Sequence, residues 1–141
     1  MTPTKIPWAT HVWNPVTGCT PAGEGCKNCY AKRVAETRLR GRFGYPADEP
    51  FRVTLHPERL DEPLHLRTTA RIFVDSMGDL FHDDVPDEFL HSVTQTAEDA
   101  DWHTFIVATK RWQRCHDYQH IYPPASNIWF LFSVWDHASA A

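Results

Sequence analysis

No apolar run in the 141 residues approaches the roughly 18 that a membrane-spanning helix needs, and the start, Met1-Thr-Pro-Thr-Lys-Ile-Pro7, has no secretory apolar core. Both absences point to a cytoplasmic protein with no membrane partner. A basic surplus is lacking too: 14 Lys and Arg stand against 18 Asp and Glu, a net charge of −4. That sign is wrong for a domain whose main task is to coat a phosphate backbone, so nucleic acid is not indicated, although a local basic patch is not excluded. The chain also lacks internal repeats and low-complexity segments, apart from the short tail Ala138-Ser-Ala-Ala141. Cysteine is scarce, with four residues, and Cys19, Cys26 and Cys29 fall within eleven positions while Cys115 stands alone. This is not the spread of a disulfide framework; three close cysteines in a reducing compartment suggest a metal.

What is present is the mass of one ordinary domain, 16.3 kDa with 42% hydrophobic residues, together with 11 Pro and 6 Trp. Prolines punctuate the chain as they do where loops join short elements. Residues 8–16 read as an extended aromatic segment, 27–40 as a helix stopped by Gly41, 51–55 as a short strand and 57–66 as a helix after a Pro start. Arg71-Ile-Phe-Val74 is an apolar strand that runs into the loop 75–79, in which Asp75 or Ser76 is expected to cap the next turn. A helix is expected from Pro86 to about Ala100, with Asp87 and Glu88 at its positive end and Phe89, Val93, Thr96 and Ala97 facing the core. Residues 104–108 read as a strand, 109–111 as a loop, the stretch to about His120 as a helix, and 127–134 as a closing buried strand.

Strands alternating with helices argue for an α/β fold of repeated β-α units with a mainly parallel sheet. Chemistry in such folds gathers at the C-terminal ends of strands. The cysteine loop, residues 75–79, residues 109–111 and Ser133 all fall there.

Gly18-Cys-Thr-Pro-Ala-Gly-Glu-Gly-Cys-Lys-Asn-Cys-Tyr30 is the most informative segment. Cys26-x-x-Cys29 is a spacing at which one backbone turn presents two sulfurs to one ion or cluster, and Cys19 is near enough to join. Three readings stay open: an iron–sulfur site with one open coordination position, a zinc site completed by His11 or another His, and free thiols or an opportunistic disulfide. Elsewhere, His82-Asp83-Asp84 reads as a helix N-terminal box, His116 and His120 as a solvated helix face, and Cys115 as a small buried residue. Most of the Trp residues are expected in core or rim packing rather than as base-stacking platforms.

The string Trp13-Asn-Pro-Val-Thr-Gly-Cys19 with Gly25-Cys-Lys-Asn-Cys-Tyr-Ala31 resembles the opening of the phage gene-product thirty-seven/sixty-eight family, a three-cysteine-motif group of unknown function. The resemblance continues through Leu55-His-Pro-Glu-Arg-Leu60, Ile72-Phe-Val-Asp-Ser-Met-Gly-Asp-Leu-Phe-His82, Asp84-Val-Pro86 and Thr109-Lys-Arg111, and spans residues 8–134. That family is in turn similar to radical S-adenosylmethionine enzymes, though with a longer first cysteine spacing. The resemblance implies that Cys19, Cys26 and Cys29 hold a [4Fe-4S] cluster whose open iron takes S-adenosylmethionine for one-electron cleavage. It further implies that Tyr30 shields the cluster or approaches the adenine. Ser76, Gly78 and Asp79 take the place of the segment that receives the methionine amino group, with Asp79 supplying the carboxylate. Lys110, with its neighbours in Thr109-Lys-Arg111, would bind the ribose or the carboxylate. If phage-encoded, the protein would work in the host cytoplasm.

Two departures qualify the resemblance. Leu131 and Trp135 stand where a Gly and a Glu are usual, and the chain ends soon after. The single domain 1–141 therefore reads as the first half of a partial TIM-type barrel, truncated at its C-terminus, since a closed barrel takes roughly 250 residues. An exposed last strand and an apolar face carrying Trp129, Leu131 and Val134 would then invite self-association or a separately encoded partner, and would put catalytic activity in doubt. The alternative function is a zinc-stabilised protein- or nucleic-acid-binding module without catalysis.

Overall fold

The structure is a computed structural model that describes residues 1–23 and 26–133. Among these residues the strands are β1 (Thr2–Pro3), β2 (His11–Trp13), β3 (Val16–Thr17), β4 (Thr54–Leu55), β5 (Arg71–Val74), β6 (Thr104–Thr109) and β7 (Ile128–Phe132). The α-helices are α1 (Tyr30–Val34), α2 (Glu62–His65), α3 (Asp87–Asp99) and α4 (Trp112–Ile121). The larger sheet has the order β1-β2-β5-β6-β7; every pair in it is parallel except β1 with β2. The mixed α/β architecture with a mainly parallel sheet is thus present, and no closed barrel forms among the described residues.

The order β2, β5, β6, β7 advances in one direction without reversal, and registration sorts the side chains into two faces. Paired rows such as Trp13–Val74–Val107–Phe130 lie on the core face. There they join Leu90, Val93 and Ala97 of α3 and Cys115 and Tyr118 of α4 in one apolar cluster. Trp13 is wholly buried, and its indole N–H donates to the Arg59 carbonyl at 2.8 Å, so burial leaves no orphaned donor. Phe81 sets its ring edge-on against both Tyr118 and Phe130 and so ties α4 to β7.

The alternate rows, Val12–Phe73–Ile106–Trp129, form an open face. Trp8 packs edge-on against Phe73 there, and Trp129 is 60% exposed. A hollow of about 350 Å³ lined by Trp8, Thr104, Ile106, Trp129 and Leu131 lies on this face. Of the described tryptophans only Trp13 is core; Trp8, Trp102, Trp112 and Trp129 are exposed at the rim or on the open face. The Trp129 and Leu131 part of the expected apolar face is therefore present, whereas Val134 and Trp135 lie outside the described residues.

Several elements differ from their sequence outlines for physical reasons. The helix expected over 27–40 starts only after Cys29, then widens into a π-helical turn over Ala35–Leu39. Pro63 sits in the first turn of α2, so the expected 57–66 helix breaks into a 3-10 turn, Pro57–Arg59, followed by a four-residue helix. The strand expected over 51–55 shrinks to β4, which pairs antiparallel with β3. In α3 the core face is Leu90, Val93, Thr94 and Ala97, one residue round from the expected Phe89 and Thr96 face. No helix among the described residues is long and apolar enough to cross a membrane.

Candidate functional site

The C-terminal ends of β2, β5 and β6 and the start of the cysteine loop meet at one end of the sheet. Gly18 makes this possible: it bridges Gly78 in parallel, and its N–H donates to the Met77 carbonyl at 2.9 Å. A side chain on Gly78 would crowd the Gly18 and Val16 carbonyls at 3.0 and 3.1 Å, so two glycines let the loop approach the β5 end. Asn14, just beyond β2, fastens the other flank by accepting from the Met77 N–H at 2.9 Å and the Ser76 hydroxyl at 3.4 Å.

Asp79 is the hub. Its carboxylate accepts from the Thr109 hydroxyl (2.7 Å), the Phe81 N–H (3.0 Å), the Lys110 N–H (3.2 Å) and Arg111 Nη1 (3.3 Å). Asp79, rather than Asp75 or Ser76, thus supplies the local turn cap. Arg111 continues the network into the loop: Nη1 reaches Cys19 Sγ at 3.2 Å, while Nη2 donates to the Thr20 carbonyl (2.9 Å) and hydroxyl (3.2 Å). Its side chain is only 14% exposed, so the guanidinium is committed to this network rather than to solvent. Lys110 Nζ lies 3.6 Å from Cys26 Sγ. His82 completes the ring. Its Nδ1 accepts the Asp84 N–H at 3.0 Å, which leaves Nε2 as the protonated nitrogen donating to Thr20 Oγ1 at 2.9 Å.

The expected residues Cys19, Cys26, Asp79 and Lys110 are therefore brought together. Cys29 stands at the N-cap of α1 and Tyr30 follows it, 65% exposed, with the Arg33 guanidinium 5.9 Å from its ring centre. All four cysteines are free, and no three His, Cys, Asp or Glu side chains among the described residues converge on a metal-sized point. His116 and His120 stack on an exposed face of α4. Sequence reasoning missed Arg111 as a partner of Cys19 and His82 as a partner of Thr20. Only the placement of Thr109-Lys-Arg111 at a strand end hinted at the first.

Beside the loop, a cleft of about 730 Å³ opens on the other flank of these strand ends, with Val12, Asn14, Tyr30, Phe73, Ser76 and Met77 among its walls. This volume lies within the range of small-molecule sites. A Thr17–His56–Glu58 row (2.7 and 3.3 Å) has the order of a hydrolase triad, but Thr17 is wholly buried and cannot meet a substrate.

The thiols differ in character. Burial pushes Cys19 up, with the Arg111 guanidinium pulling the other way. At Cys26 a weaker burial effect is outweighed by the Ala22 N–H and the Lys110 ammonium, and its pKa falls. Burial lifts Cys115 to about 12. Since the thiolate is the reactive form, iodoacetamide at pH 7.5 should modify Cys26 before Cys19 in the metal-free native protein and leave Cys115 untouched, as peptide mapping would show. Modification of Cys115 at the rate of Cys26 would contradict this environment.

Asp75 is buried at a positive φ of 57°; Oδ1 accepts the Val16 N–H at 3.1 Å and Oδ2 has no hydrogen-bond partner among the described residues. Burial raises its carboxyl well above the usual range, against the pull of the Val16 N–H and with the Asp79 charge adding to the rise. The raised folded-state pKa means that its stabilising contribution is complete below the unfolded value near 4. It falls from there by about 1.4 kcal/mol per pH unit and is fully lost once pH has risen through the folded value. Asp75→Asn should therefore match the parent near pH 4 and exceed its thermal midpoint increasingly as pH rises from there, until the folded-state value is passed. A difference independent of pH would refute the burial argument.

No curated protein and no solved structure matches the chain. One family model, described as protein of unknown function (DUF5131), matches residues 3–141, and the chain therefore belongs to that family.

Proposed function

We propose that this member of the family is an iron–sulfur protein of the radical S-adenosylmethionine type, with Cys19, Cys26 and Cys29 as the ligands of a [4Fe-4S] cluster. One observation carries the reading: a glycine-seated cysteine loop lies at the C-terminal end of a parallel sheet, with two of its sulfurs met by cationic side chains from the next strand end. The donor set fits a thiophilic centre, and the flanking positive charge suits ligands that must ionise to bind it. The thiols still have to close on the centre, as expected where ligand-loop folding and metal binding are coupled. The strand order, advancing one way with α3 and α4 on a single face, also suits part of a barrel better than a doubly wound sheet, whose order reverses.

When bound, the cluster would supply the electron for reductive cleavage of S-adenosylmethionine. The chain's own residues would orient that co-substrate in the adjoining cleft. Ser76 and Asn14 offer polar atoms and Tyr30 offers an exposed ring to the adenine, whereas the space beside Gly78 is taken by the Gly18 and Val16 carbonyls. Asp79 can receive the methionine ammonium only by giving up part of its bonding to Arg111 and Thr109. Likewise Lys110 would turn from Cys26 to reach a ribose or carboxylate.

The test is anaerobic. Reconstituted protein reduced with dithionite should convert S-adenosylmethionine to 5′-deoxyadenosine, and Cys26→Ala should not. An iron-loaded protein that yields no more product than this variant would sink the reading.

The open face of Phe73, Ile106, Trp129 and Leu131 favours a second reading, a zinc-stabilised binding module, and in either case a self-association or partner surface along β7. Zinc bound one per chain with no sulfide would favour that module. Light scattering that shows a monomer at micromolar concentration would count against self-association.

A further inference from the structure

We infer that Lys110 and Arg111 are outer-sphere donors to the sulfur ligands of the bound centre, Lys110 to Cys26 and Arg111 to Cys19, with Asp79 as the residue that aims Arg111. The inference rests on the reading of these cysteines as ligands of an iron–sulfur cluster. Neighbouring residues at the end of β6 reach different sulfurs, at 3.6 and 3.2 Å, and so bracket both ends of the loop between Cys19 and Cys26. Arg111 is held on three sides: Nη1 lies between Cys19 Sγ and Asp79 Oδ2, while Nη2 grips the Thr20 carbonyl and hydroxyl. His82 steadies that hydroxyl from the opposite side at 2.9 Å. Such a fork needs a guanidinium, since an ammonium is a point charge and cannot span the set.

The consequence is electrostatic. A cluster gains one negative charge on reduction, so a positive charge and an N–H directed at its ligand sulfurs favour the reduced form and raise the potential. Both side chains would do this, and Arg111 would also anchor Cys19 to the sheet and slow loss of the centre.

The 141-residue chain is reconstituted anaerobically as wild type, Lys110→Gln, Arg111→Gln, Arg111→Lys and Arg67→Gln. The last removes the same charge from an exposed residue outside the site. Iron and sulfide content, circular dichroism, midpoint potential by poised EPR titration and the rate of iron loss to a chelator are measured. Lys110→Gln and Arg111→Gln should each disfavour reduction about tenfold, a negative shift of ~59 mV for one electron. Arg67→Gln should leave the potential unchanged. Arg111→Lys should recover much of the potential but lose iron several-fold faster than wild type, which separates charge from positioning. If Arg111→Gln fails to fold or to hold iron, Lys110→Gln and Arg111→Lys decide the matter. Iron-loaded variants whose potentials and iron-loss rates match Arg67→Gln overturn the inference alone. A wild type that takes up no iron overturns the cluster reading itself, and the inference with it.

Discussion

Gly18→Ala is expected to destabilise the fold by about 4 kcal/mol and to detach the cysteine loop from the sheet. At φ +85°, an L residue there is already strained by roughly 1–2 kcal/mol. The larger cost is steric. An added Cβ would lie 2.2 Å from the Arg52 carbonyl oxygen, 2.5 Å from its carbon and 2.5 Å from the Phe51 carbonyl oxygen. These are backbone atoms and cannot swing aside. Relief requires moving the 51–52 segment, which breaks the Cys19 N–H bond to the Phe51 carbonyl, or lifting Gly18 off Gly78, which breaks its bond to Met77. Gly41→Ala provides the control: its φ is +68°, yet its nearest neighbour would be the Ala47 methyl at 3.3 Å. That variant should lose only about 1–2 kcal/mol. Urea unfolding compares the two, and equal losses would show that Gly18 is not the seat of the loop.

Asp79→Ala should cost about 3–5 kcal/mol, because it strands a mostly buried guanidinium and three further donors at once. The Thr109 hydroxyl and the Phe81 and Lys110 N–H groups would have to find water in a partly closed site. Asp79→Asn keeps a carbonyl acceptor but loses the charge, so its cost should be smaller, about 1–3 kcal/mol. Asp79→Asn should also speed alkylation of Cys19, since it removes the carboxylate charge that raises that thiol's pKa while leaving an acceptor for Arg111. An alanine variant that loses under about 1 kcal/mol in urea unfolding would remove Asp79 from the centre of the network.

Much of the sheet was legible because its central strands are buried on the core face and read as apolar runs. Residues 71–74 match β5, and 104–108 fall one residue short of β6. Pro86 with Asp87 and Glu88 marked the start of α3 for the reason such residues favour helix N-termini. Its core face was misjudged by one position because Phe89 and Leu90 are both apolar, and only packing against the sheet decides that Leu90 goes inside. Strand β1 left no mark in sequence: Thr2 and Pro3 are exposed, and their pairing with Val12 and His11 is a tertiary accident of edge geometry.

The site was legible as a location more than as a network. Strand-end position gathers Cys19, Asp79 and Lys110 correctly, since parallel β-α units deliver their loops to one end. Which side chain meets which is set by register between segments 62 to 92 residues apart. The Arg111–Cys19, Lys110–Cys26 and His82–Thr20 contacts are of this kind and have no local signature. The burial of Asp75 was hidden for the same reason: a loop aspartate reads as a turn cap until a neighbouring segment, here Val16, closes over it.

The metal and sulfide content of the anaerobically reconstituted 141-residue chain decides between a cluster and a structural zinc. The expected result is a brown protein with about four irons and about four sulfides per chain, and loss of that colour in Cys26→Ala. One zinc per chain with no sulfide, unchanged on offering iron and sulfide, would contradict it.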